Sequence, residues 1–125
     1  MTRTLTIPGP LPGTNEVIGA ARSNKYASSK QKKEYTELVA WKAREAKLPK
    51  MQRIDIAFHW YEPSKRRDKD NISGGAKFVL DGLVQAGVIE NDGWKQIGDI
   101  LHFFAVDKAN PRVEIEITEI GEGKP

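Results

Sequence analysis

Apolar and polar positions alternate most cleanly over "RIDIAFHWYE", residues 53–62. Ile54, Ile56, Phe58 and Trp60 share one face, and Asp55, Ala57, His59 and Tyr61 share the other, which is the two-residue period of a strand with one buried side. Pro63 ends it. A weaker alternation in "RTLTI" (3–7) predicts a short first strand, closed by "PGPLPG". "IGDILHFFAVD" (97–107) and "RVEIEITEI" (112–120) read as two further strands joined by the turn "KANP". In the last of them Val113, Ile115 and Ile117 point inward while Glu114 and Glu116 point outward.

Two segments carry helical spacing instead. From Ala27 to Leu48 there is neither Gly nor Pro, and Tyr35, Leu38, Val39 and Ala46 recur at roughly one face. Ser28 or Ser29 stands where a cap is wanted, and Pro49 stops the helix. From Asn71 to Ala86, the apolar residues Ile72, Ala76, Val79, Leu80 and Leu83 fall on one stripe, with Gly87 as the C-terminal cap. Residues 14–26, polar and basic, read as a loop.

The sum is β-α-β-α-β-β, an α/β (α+β) fold with a small mixed four-stranded sheet and two main helices. The last two strands are expected to form an antiparallel hairpin. The connection from 53–62 through the second helix is expected to be a right-handed crossover. With 125 residues, the chain is expected to be one domain, 1–125.

Composition narrows the chemistry. Hydrophobic residues are 38% and charged residues 30%, which describes a globular chain rather than a disordered one. The absence of cysteine excludes disulfides, thiolate zinc sites, iron–sulfur clusters and cysteine nucleophiles, and it fits a reducing, cytoplasmic setting. "MTRTLTIPGPLPG" has no long apolar run, so neither a signal peptide nor a membrane span is expected. A net charge of +3 allows a nucleic-acid partner without demanding one.

The densest chemistry lies in "RRDKDNISGGAK", residues 66–77. Asp68 and Asp70 stand one residue apart among Lys65, Arg66, Arg67 and Lys69, at the entrance to the second helix. Helix capping by Asp70 and Asn71 is one account, with Asp68 a solvated loop charge. A divalent-metal site is the other. Two neighbouring carboxylates repel, and a bound Mg²⁺ (or Mn²⁺ in its place) removes that cost while presenting a phosphodiester and a water to each other. The flanking cations would then dock a DNA or RNA backbone. Asp92, in the turn "ENDG" (90–93), offers a third carboxylate, although Asn-Asp-Gly is also ordinary turn chemistry. Lys77 and Asp81 are four apart on the helix, either as a surface pair or with Lys77 free to meet a phosphate.

The remaining features read as structural. His59 and His102 lie on strands, and no HExxH or nucleophile-elbow motif accompanies them. The Gly74–Gly75 pair has no phosphate-loop spacing, and two glycines inside a helix imply that another backbone comes close. Trp60 is expected in the core and Trp94, next to the acidic turn, at the surface near substrate.

"DKDN", then a helix reading K-x-x-x-D-G-L-x-x-A-G-V-I, then "END", resembles the RusA family of Holliday junction resolvases. The resemblance runs from about residue 60 to 100, with a weaker echo in "LTIPGPLPGTNE" and "VEIEITEI". It implies a homodimeric, Mg²⁺-dependent endonuclease for four-way DNA junctions. It makes Asp68, Asp70 and Asp92 the metal carboxylates and Lys77 the catalytic lysine. Two departures stand out: "SGG" lengthens the interval from "DKDN" to Lys77 by about one helical turn, and the acidic doublet is Asn91-Asp92. A nuclease for other branched or single-stranded DNA, and a non-catalytic nucleic-acid-binding module, remain the alternatives.

Overall fold

A computed structural model describes residues 2–121. Its elements run β1 (Thr2–Pro8), α1 (Thr14–Ser23), α2 (Lys25–Glu45), β2 (Ile54–Glu62), α3 (Lys69–Ser73), α4 (Ala76–Gln85), β3 (Ile97–Val106) and β4 (Arg112–Glu119). The four strands form one mixed sheet in the order β1-β4-β2-β3, with β2 and β3 parallel and the other pairs antiparallel. This is the expected α+β layering, and the strand boundaries fall close to those read from the alternation.

The interior follows the sequence pattern. Ile54, Ile56, Phe58 and Trp60 of β2 and Val113, Ile115 and Ile117 of β4 are buried on one face, under Val39 of α2 and Val79 and Leu83 of α4. Helices α2 and α4 meet closely at Gly82, where any side chain would overlap Val39. Trp60 lies in the core as expected and donates its indole N–H to His102 Nδ1 at 2.9 Å. Burial pushes the His102 pKa down. A neutral ring accepting at Nδ1 fits that shift.

The structure corrects three expectations. First, β3 and β4 are not a hairpin. After β3 the chain passes over the end of β2, with the Asp107 N–H on the Glu62 carbonyl at 2.8 Å, and β4 inserts between β2 and β1. Arg112 fixes that crossing by pairing with Asp107 at 2.8 Å and Glu114 at 2.7 Å. Alternation reveals which face of a strand is buried but not which strand lies beside it.

Second, residues 14–26 are not a loop. They contain α1 and the start of α2, which Asn24 caps by accepting from the Ala27 N–H at 2.6 Å, in place of Ser28 or Ser29. Helix α1 buries none of its residues, and Val17 and Ala20 are only partly covered. It is held at its start by polar bonds, from the Gly13 N–H to Glu16 Oε1 at 2.8 Å and from the Asn15 N–H to Asn71 Oδ1 at 2.8 Å.

Third, the helix expected over 71–86 begins earlier, at Lys69, and is broken at Gly74–Gly75 into α3 and α4. The loop after β1 causes the break. A Cβ on Gly74 would stand 2.7 Å from the Thr14 backbone nitrogen, and one on Gly75 would stand 3.0 Å from the Pro12 carbonyl and 3.3 Å from the Trp60 ring. The close backbone approach implied by the paired glycines is therefore real. The two main helices expected are present as α2 and α4, with the shorter α1 and α3 beside them. Beyond α4, Gly87 adopts a φ of 77°, the left-handed turn expected of a cap.

Candidate active site

The β2–α3 connection delivers the acidic pair. Strand β2 ends at Glu62, which is only 4% exposed. Arg67 turns back onto it, with Nε and Nη2 on the two Glu62 oxygens at 2.9 and 3.0 Å, a bidentate pair. Its Nη1 also donates to the Leu11 carbonyl at 3.0 Å and to Glu16. Burial alone would lower the Arg67 pKa, but Glu62 and Glu16 outweigh it and raise it. The same balance acts on Glu16, where burial opposes ionisation and the Gly13 N–H, Arg67 and Asn71 together hold the pKa below the usual range. Arg67 is thus a structural clamp joining β2, the β1–α1 loop and α1.

Held by that clamp, Asp68 occupies the N-cap position of α3, and Asp70 lies in its first turn. The Asp68 carboxylate makes no capping bond. Asp70 Oδ1 accepts the Asn71 N–H at 3.0 Å. Both acids are exposed, as are Lys65, Arg66 and Lys69. The Lys69 ammonium sits 5.6 Å from the Phe104 ring centre. Asn71, by contrast, is buried, with its amide capping α1 and donating to Glu16 Oε2 at 3.3 Å.

A second group lies along α4. Lys77 Nζ bridges Asp92 Oδ2 at 2.9 Å and Asp81 Oδ1 at 3.1 Å. Asp92 first and Asp81 second raise the Lys77 pKa, so it stays charged. Its side chain is 65% exposed, so the ammonium can be reached from solvent. Trp94, in the same turn as Asp92, is 97% exposed.

The residues singled out from sequence therefore form two groups, Asp68 with Asp70 at α3, and Lys77 with Asp81 and Asp92 at α4. Among the described residues, no group of three or more His, Cys, Asp or Glu is placed to hold a metal ion. The donors are nonetheless the hard oxygens that Mg²⁺ takes. Asp68 and one oxygen of Asp70 are uncommitted, and Asp92 is neutralised by an exposed lysine rather than buried in a permanent pair. Sequence reasoning missed the roles of Glu62, Glu16 and Asn71. The one local signal was Glu16, three residues past Gly13, at a helix start.

No curated protein matches the chain. The family model described as Endodeoxyribonuclease RusA matches residues 8–118 of the 125. That span contains every element of the site, and the chain belongs to the RusA family, endodeoxyribonucleases that resolve Holliday junctions.

Proposed function

We propose that this resolvase is a Mg²⁺-dependent homodimer acting in the cytoplasm, with Asp68, Asp70 and Asp92 as the metal carboxylates and Lys77 as the catalytic cation. One observation carries the assignment. Asp68 stands at a helix N-cap and does not cap, so the structural role that would otherwise account for it is unused. Mn²⁺ is expected to substitute. When bound, the cation supplies an activated water and charge neutralisation at the phosphodiester.

The chain's own groups do the rest. Lys65, Arg66 and Lys69 dock the phosphate backbone beside the acidic pair. Lys77 exchanges its carboxylates for the oxygens of the scissile phosphate, where negative charge grows, and in doing so releases Asp92. Arg67 and Glu62 keep the loop's approach to α3 fixed, so that Asp68 and Asp70 meet the backbone in one geometry.

The dimer is proposed through β3. It is an edge strand, and Leu101 and Phe103 on its outer side are 53% and 50% exposed, with Ile100 and Val106 also open. A free edge flanked by apolar side chains favours pairing with a second copy about a two-fold axis. Two such sites suit two cuts in a four-way junction. The test is cleavage of a labelled synthetic four-way junction with and without Mg²⁺, beside three-way and linear DNA. Asp70→Asn should leave junction binding intact or tighter, because a negative charge is removed, while cleavage collapses. Cleavage that survives Asp70→Asn overturns the assignment.

A further inference from the structure

Basic charge is concentrated in a second place that the acidic site does not use. Between Glu16 and Glu34 the chain contains no acid but carries Arg22, Lys25, Lys30, Lys32 and Lys33. All five are exposed. Among the described residues none of them pairs with a carboxylate.

Their placement follows from how α2 is built. Its buried residues begin only at Thr36 and continue through Val39, Ala40 and Ala43. Followed back toward the N-terminus, the same helical stripe passes through Lys32, Ser29 and Lys25, which are exposed. The first turns of α2 therefore overhang the core, and their underside is cationic. Tyr26, 77% exposed, lies on the adjoining stripe with Lys30 and Lys33. Helix α1 braces the overhang, with Gln31 Nε2 donating to the Glu16 carbonyl at 3.4 Å. It adds no buried residue of its own.

The overhang is rooted beside the acidic pair. Asn71 of α3, next to Asp70, caps the start of α1, and Arg67 and Glu16 tie the same corner together. From that root α1 extends about 15 Å to its tip at Ser23. A body of this length that buries little apolar surface, carries no acid between Glu16 at its root and Glu34, and bears unpaired cations is matched in charge and reach to a polyanion.

We infer that the overhang of α1 and the first turns of α2 is a second DNA-contact surface, holding the phosphate backbone of a duplex arm that leads away from the branch point. The inference rests on the DNA-cleaving function proposed above and adds a binding surface separate from the catalytic groups. Contacts here go to phosphates and are blind to sequence, with Tyr26 packing against sugar or an exposed base.

The test is fluorescence anisotropy of a labelled four-way junction across a salt series, without divalent metal, comparing the wild type with a variant carrying Lys25→Gln, Lys30→Gln, Lys32→Gln and Lys33→Gln. Each phosphate contact removed lowers the slope of log affinity against log salt by about 0.9. The quadruple variant should lose about 2 to 4 units of slope and bind at least about tenfold more weakly near 0.15 M salt. Cleavage at saturating enzyme with Mg²⁺ should stay within a few-fold of wild type. All four lysines are exposed, so its thermal midpoint should hold. If it does not, the milder pair Lys30→Gln and Lys33→Gln should show about half the slope change. A slope equal to that of the wild type, in either variant, overturns the inference while leaving the catalytic site untouched. Asp70→Asn measured alongside separates the two, because its failure to abolish cleavage would count against the site and not against the overhang.

Discussion

Replacing Arg67 by alanine separates a clamp from a DNA contact. Glu62 is buried, and its two oxygens are satisfied by Arg67. Removing the guanidinium leaves a carboxylate without its cation in a place water reaches poorly, and breaking a buried pair from one side costs about 3–5 kcal/mol. Arg67 is itself partly exposed, which places the expected loss near the lower end, at about 3 kcal/mol. The loss of the Leu11 and Glu16 bonds adds to this. Domains of this kind have only about 5–15 kcal/mol in hand. For this chain length, about 3 kcal/mol lowers the thermal midpoint by roughly 10 °C. Urea unfolding followed by circular dichroism would measure it, with Arg66→Ala, whose side chain is exposed, as a comparison expected to stay within about 0.5 kcal/mol. Converting both partners, with Glu62→Leu and Arg67→Met, should recover much of the loss, since the uncompensated charge is then gone. An Arg67→Ala protein as stable as the wild type but weak in junction binding would refute the clamp and restore Arg67 to the DNA-docking cations.

Three further outcomes are expected. Phe103→Lys at the open edge of β3 should shift the protein from dimer to monomer in light scattering, and an unchanged mass would place the interface elsewhere. Gly74→Ala should lower stability by about 1–3 kcal/mol, because a Cβ would meet the Thr14 backbone at 2.7 Å, and a neutral result in chemical unfolding would mean that the loop yields. Glu16 has a pKa lowered by its partners, so its contribution is complete above the ordinary glutamate value and is lost as pH falls through the lowered one. Amide exchange in α1 should accelerate below about pH 4, and Glu16→Gln should remove most of that dependence.

Some of this molecule was legible in its residues and some was not. The buried face of β2 was, because alternation maps directly onto a pleated strand. The acidic pair, the Lys77–Asp81 spacing and the surface position of Trp94 were legible too, being local features. Helix α1 was hidden because nothing in it faces the core, and its anchors, Asn71 and Arg67, lie more than fifty residues away. Arg66 and Arg67 are indistinguishable in a row of cations, and only the turn after Glu62 decides which one faces inward. The pairing of Lys77 with Asp92 depends on the chain returning alongside α4 after Val88, which no spacing records. The place of β4 was obscured for the same reason, since its alternation suits any neighbour.

That place of β4 has a consequence for biogenesis. Strand β1 is made before the other three, yet its only partner among the described residues is β4, and Thr2 finds Thr118 across the register. While the C-terminal segment is still inside the ribosome, the emerged chain presents β1 unpaired and β2 lacking one of its two neighbours. High sequence separation of this kind slows folding and leaves open strand edges on the nascent polypeptide. Completion of the sheet therefore awaits the emergence of β4.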